Sequence, residues 1–201
     1  MSLVVALAGS KEAVIGGDRR SISFLGSCSR LEEELYSGKI RSDQELLARA
    51  RELGATLQVS DGREKVWKAG EVLVGEVTEI SEKLQRRRRI YLVPGAHLVV
   101  DITGSEAKIS SQGKVGCVVF GNRITQQLAA VGAAKADGRL NEAVINSILA
   151  DVAEKTASVS REHTVLRTDA RPANPLAALM DALQADCQKN GWRLSGPCAP
   201  Q

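Results

Sequence analysis

Ser2 and Asp18 are the residues whose types and spacing point most directly to chemistry. Two apolar runs, residues 3–8 and 13–17, flank a turn at Gly9-Ser10-Lys11-Glu12, the pattern of a β-hairpin. A two-residue loop at Ser10-Lys11 makes paired positions sum to about 21. Ser2 and Leu3 then face Arg19 and Asp18 across strands ~5 Å apart. Removal of Met1, which a small second residue permits, would leave Ser2 with a hydroxyl nucleophile and a free α-amine. An α-amine titrates at roughly 7.7 to 8.0, so it can serve as the general base that histidine supplies elsewhere. That matters because the chain has only two histidines, His97 and His163. Both read most simply as ordinary strand residues, and a histidine-rich metal site cannot be assembled from them.

The elements that must position these groups follow from periodicity. Neither strand of the first hairpin alternates with polar residues, so both faces should be covered by other layers. A third strand is expected at 21–25. A helix follows, capped by Ser42 with Glu45 and stopped by Gly54. A meander at 56–59, 65–68 and 71–80 comes next, its strands reading as sheet edges. Strands at 90–93, 97–102 and 115–120 precede two helical stretches, 122–134 and 140–155, and a return to strand at 160–166. The tail holds a short apolar helix at 176–183. With 201 residues, 43% apolar and no linker rich in Pro, Gly or Ser in the middle, one main domain at 1–167 with a C-terminal tail at 168–201 is expected.

The residues 2–7 (Ser-Leu-Val-Val-Ala-Leu) and 13–20 (Ala-Val-Ile-Gly-Gly-Asp-Arg-Arg) resemble the start of proteasome β subunits and other N-terminal nucleophile hydrolases. In that superfamily a terminal Thr or Ser leads strand one, and an Asp sixteen residues later ends strand two. The closing order strand, helix, helix, strand after residue 115 fits the superfamily's four-layer αββα sandwich, an α+β fold. The chain is most similar to the connectases, archaeal protein ligases related to proteasome β subunits. The resemblance rests on a nucleophile expected almost directly at the chain start, without a propeptide, and on an insertion-rich middle.

The resemblance implies roles residue by residue. Ser2 would be nucleophile and general-base amine. Asp18 would orient the ammonium and hydroxyl, and Arg20 falls at the family's basic position. The family's Lys should come about sixteen residues after Asp18, where this chain has Glu34. Lys39 fits if about five residues are inserted. Asn122 falls at the family's polar helix-start position, and Ser158 or Ser160 at the serine that follows the last helix. The implied function is ATP-independent transpeptidation: Ser2 cleaves a specific peptide bond, keeps the N-terminal fragment covalently and passes it to an incoming N-terminus. The implied partner class is the A subunit of the methanogen methyltransferase complex. A hydrolase of the same fold and a non-catalytic proteasome-like binding or assembly protein are the alternatives.

No cofactor or metal is implied. The four cysteines, Cys28, Cys117, Cys187 and Cys198, are scattered, with no Cys-x-x-Cys pair, and read as free thiols, Cys117 as a buried one. The net charge of +3 announces neither a nucleic acid nor a membrane surface. The N-terminal apolar run is too short for a signal peptide or a membrane span, so a cytoplasmic location is expected. The run Gln85-Arg86-Arg87-Arg88-Arg89 suggests a solvated helix end or edge strand, or a contact with a partner protein. No aromatic interleaving supports RNA.

Overall fold

The structure is a computed structural model that describes residues 3–80, 85–136 and 141–195. The elements run β1 (Val4–Ala8), β2 (Ala13–Asp18), β3 (Ser21–Leu25), α1 (Ser29–Tyr36), α2 (Asp43–Glu52), β4 (Thr56–Ser60), β5 (Val66–Ala69), β6 (Val72–Ile80) and β7 (Gln85–Val93). They continue with β8 (Ala96–Thr103), β9 (Glu106–Gly113), β10 (Gly116–Phe120), α3 (Arg123–Lys135), α4 (Glu142–Ala153), β11 (His163–Thr168), α5 (Pro175–Asn190) and β12 (Arg193–Ser195).

A four-stranded sheet, β10-β1-β2-β11, lies on a six-stranded sheet, β12-β9-β8-β7-β6-β5. The side-chain period of two explains the stacking. On β1, Leu3 and Val5 point outward to Ile145, Ile148 and Leu149 of α4. Val4 and Ala6 point inward and pack with Ile15, Leu73, Ile90 and Leu92 between the sheets. The far face of the second sheet, with Val74, Tyr91, Leu98 and Val100, is covered by Leu179 and Leu183 of α5. The result is the four-layer αββα sandwich expected from the order of elements, and both faces of the first hairpin are buried.

Gly75 lets the two sheets approach: a Cβ there would meet Ile15 Cδ1 at 2.5 Å and Val4 Cγ1 at 3.0 Å. Gly75→Val is therefore expected to overpack the interface and cost about 2 kcal/mol. Thermal unfolding should show it as a fall of roughly 4–8 °C in Tm.

Several elements depart from the sequence reading, among them β12, which was not expected, and β6, which lies inside its sheet rather than at an edge. α1 was not expected; its only buried residues are Leu31 and Leu35, and no side chain caps it, so it carries little signal. The strand at 56–60 does not join the meander. It pairs with β3, and with α1 and α2 it encloses a small separate core around Leu31, Leu35, Leu46 and Ala50. The helix expected at 176–183 runs to Asn190, capped by Asn174 and ended by Gly191 at φ +67°. It supplies the fourth layer of the sandwich, packing Leu179 and Leu183 into the core. The basic run lies on β7, an interior strand rather than an edge.

Candidate active site

Asp18 ends β2, fully buried. Pairs on the first hairpin run from Val4 with Gly17 to Ala8 with Ala13, the register expected from a loop at Ser10-Lys11. Asp18 N–H donates to the Leu3 carbonyl at 3.1 Å, so the pairing continues to the start of the chain. Ser2 itself lies outside the described residues.

The Asp18 carboxylate receives four donors. Oδ1 accepts from Leu3 N–H and from Lys65 Nζ, each at 2.7 Å. Oδ2 accepts from Arg20 N–H at 2.8 Å and Ser160 N–H at 3.4 Å. Full satisfaction is what a buried carboxylate needs, because each missing partner would cost it desolvation energy.

Lys65 is the buried cation paired with Asp18. Its side chain is 1% exposed, and Nζ also donates to the Arg20 carbonyl at 2.7 Å. Burial pushes its pKa from the ordinary 10.5 down to about 8, while Asp18 works in the opposite direction. A lysine so placed can hold or release a proton near neutral pH, which an exposed one cannot. Gly17 lies close to the strand that Lys65 precedes: a Cβ on Gly17 would lie 3.0 Å from Val66 Cγ1. Lys39, expected in this role, is instead exposed on the connection between α1 and α2.

Arg20 enters the site by its backbone. Its buried guanidinium turns away and forks onto Asp61 at 2.8 and 2.9 Å and onto Asp43 at 2.5 and 3.0 Å, with a further bond to the Ala157 carbonyl. It thereby ties the β4 turn, the start of α2 and the 156–160 segment to the end of β2. The same bonds hold the Asp61 carboxyl below its usual range and raise the pKa of Arg20.

Ser160 joins the Asp18 cluster. Its hydroxyl accepts from Arg19 N–H at 2.9 Å and donates to the Glu162 carbonyl at 2.5 Å. Asn122 and Ser158 form a neighbouring buried pair. Asn122 caps α3 through Thr125 N–H and donates to Ser158 Oγ at 3.5 Å, and that oxygen also meets Thr156 Oγ1 at 2.9 Å. The structure thus brings Asp18, Ser160 and the Arg20 backbone together, sets Asn122 and Ser158 alongside as a pair, and leaves Lys39 outside. Sequence reasoning missed Lys65, together with Asp43 and Asp61. The available signal was a lysine opening an apolar strand directly after a segment able to bury its own leucines.

Cys28, Cys117 and Cys187 are free thiols, and Cys117 is exposed on edge strand β10 rather than buried. Cys198 lies outside the described residues. His97 and His163 are strand residues of β8 and β11, as expected. Among the described residues no group of three or more His, Cys, Asp or Glu side chains is placed to hold a metal ion. No helix among them is long and apolar enough to cross a membrane.

A family model described as "Connectase MJ0548-like, N-terminal domain" matches residues 1–188. No curated protein matches the sequence. Similar solved structures include BPH of Thiobacillus denitrificans in complex with epoxomicin, at 10% identity and TM-score 0.47, covering 85% of this chain and 100% of that one. Eukaryotic HslV from Trypanosoma brucei is similar at 9% identity and TM-score 0.45, over 83% and 98% of the two chains. The Anbu (Gly-1) mutant from Hyphomicrobium sp. strain MC1 is similar at 7% identity and TM-score 0.45, over 99% and 100%.

Proposed function

The chain belongs to the connectase family, and from that premise we propose that it is a protein ligase whose nucleophile is Ser2, exposed by removal of Met1. The observation that carries this reading is the Asp18 cluster. One buried carboxylate braces both the backbone N–H of Leu3, next to the proposed nucleophile, and the ammonium of Lys65.

On this reading each residue has a role. The α-amine of Ser2 takes the hydroxyl proton as Oγ attacks the carbonyl carbon of a peptide bond. The positive charge on Lys65 lowers the proton affinity of that hydroxyl, and Asp18 fixes Lys65 in place. The protonated α-amine returns its proton to the leaving amine as the C–N bond breaks, and the N-terminal fragment remains as an ester on Ser2. An incoming N-terminal amine then attacks the ester, a new amide forms and Ser2 recovers its proton. Ser160, Asn122 and Ser158 hold the segment that closes the site against α3 and are positioning residues. The substrate on this reading is a protein, and the partner class that the family implies is the A subunit of the methanogen methyltransferase complex.

Ligation and hydrolysis share the first half of this sequence and differ in what attacks the ester. Incubation with that A subunit and a competing peptide that carries a free N-terminus separates them. Transfer of the fragment to the peptide, read by mass, is the expected result. Release to water alone at saturating peptide would make the chain a hydrolase, and no Ser2-dependent product with any protein would support a binding or assembly role.

A further inference from the structure

The hairpin of β6 and β7 overhangs the nucleophile end of the first sheet. The sheets meet where Gly75 pairs with Ile90, since a Cβ on Gly75 would touch Val4 at the start of β1. From there the hairpin continues from the pair Glu76–Arg89 to the pair Ile80–Gln85, roughly 17 Å at the rise of an antiparallel strand. Because strand side chains alternate, Arg88 and Arg86 share the face of Ile90 and Leu92, which is the face turned toward the first sheet. Arg87 and Arg89 take the opposite face, with their guanidinium carbons 5.6 and 4.7 Å from the Trp192 ring.

The two arginines of the site face are held, not loose. Arg88 Nε donates to Asp101 Oδ1 at 2.7 Å, and Arg86 Nη2 lies 3.5 Å from Asp101 Oδ2. Arg88 Cζ sits 5.8 Å from the ring centre of Phe120, the register partner of Val4. Both side chains remain about half exposed, at 48% for Arg86 and 42% for Arg88. Guanidiniums already ordered in ion pairs need little further immobilisation to bind a carboxylate, and each carries a planar fork of N–H donors matched to one.

We propose that Arg86 and Arg88 form a subsite for an acidic side chain of the protein substrate. This deepens the reading of the same site as one that acts on a protein, and rests on it. Asp101 occupies the subsite as an internal stand-in for the substrate carboxylate. An RNA strand fits less well: Phe120, the ring beside Arg88, is buried and offers no platform for bases.

The test is fluorescence anisotropy with a labelled octaglutamate peptide on Ser2→Ala protein, which binds without reacting, at about 50 mM salt where exposed charges are weakly screened. Arg86→Gln/Arg88→Gln is expected to weaken binding about tenfold, the loss of two partly exposed charge pairs. Asp101→Asn, which removes the internal competitor, is expected to tighten it. Arg30→Gln/Arg167→Gln, at distant surface arginines, should leave it unchanged. Thermal unfolding of each variant reports whether the fold is kept. Equal weakening in both double variants, no tightening with Asp101→Asn, or tighter binding of octauridylate RNA than of octaglutamate would overturn the subsite. These binding results stand apart from covalent capture at Ser2, so failure here with capture intact removes the subsite alone.

Discussion

Exchanging Lys65 for methionine is expected to slow covalent capture of the substrate at least about a hundredfold while the protein stays folded, the scale seen when a preorganised electrostatic group is lost. The expectation rests on burial and contact: Nζ is shielded from solvent and bonded to Asp18, so neither water nor another side chain can take its place. Methionine is close in length, keeps the apolar stem packed and removes only the charge. The pH dependence gives a second readout. Catalysis as proposed needs the α-amine neutral, which begins near pH 8, and Lys65 charged, which ends near pH 8 because burial lowers its pKa to about that value. The capture rate should therefore be bell-shaped with its maximum near pH 8, the two apparent pKa values belonging to the coupled pair. The residual rate of Lys65→Met should lose the alkaline limb. A rate within threefold of the unaltered protein, or an unchanged alkaline limb, would remove Lys65 from the chemistry.

Stability should move with pH in a defined direction. A lysine whose pKa is lower folded than unfolded binds fewer protons in the native state between about pH 8 and its unfolded value near 10.4. Its contribution therefore rises with pH across that window, and the burden of the buried ammonium is fully present below pH 8. Urea denaturation at pH 7 and pH 9.5 should show this rise in the unaltered protein relative to Lys65→Met.

Asp18→Asn is expected to be damaging in two ways at once. The carboxylate accepts bonds on both oxygens from four donors, and an amide would turn an NH2 toward one pair of them. The buried ammonium of Lys65 would lose its counter-charge. Breaking a buried pair from one side costs about 3–5 kcal/mol, or roughly 6–20 °C in Tm for a chain of this size. Capture should be lost even where the protein remains folded, because an uncompensated Lys65 gives up its proton at still lower pH. The double variant Asp18→Asn/Lys65→Met is expected to recover part of the stability and none of the capture. Recovery of capture in the double variant would show that the pair is structural only.

The part of the site that could be read from the sequence is the part made by local pairing. A two-residue turn fixes which residues of the first hairpin face each other, so Asp18 could be placed beside the chain start before any tertiary contact was known. Asn122 was placed at a helix start only through the family resemblance and the order of segments, and the structure makes it the cap of α3. Lys65 was not, because its distance from Asp18 in the chain is set by the 21–64 excursion. That excursion folds around its own leucines and returns the chain to the site only afterwards. Arg20 was legible as a position and misleading as a side chain: its charge is spent on Asp43 and Asp61, residues contributed by that same excursion. The arginine run misled in a related way. Charge along a strand suggests an edge, yet Arg89 is buried inside the sheet against Glu76 and Asp186, carboxylates from β6 and α5 that no local pattern links to it.

Intact-mass analysis of the purified chain, alone and after incubation with the A subunit of the methyltransferase complex, is the most direct measurement of the central claim. The chain should first appear without Met1. A second species should then form, heavier by the N-terminal fragment of the substrate, with fragment spectra placing the addition on Ser2 and with nothing formed by Ser2→Ala. Retention of Met1, or an adduct that persists in Ser2→Ala, would contradict the claim.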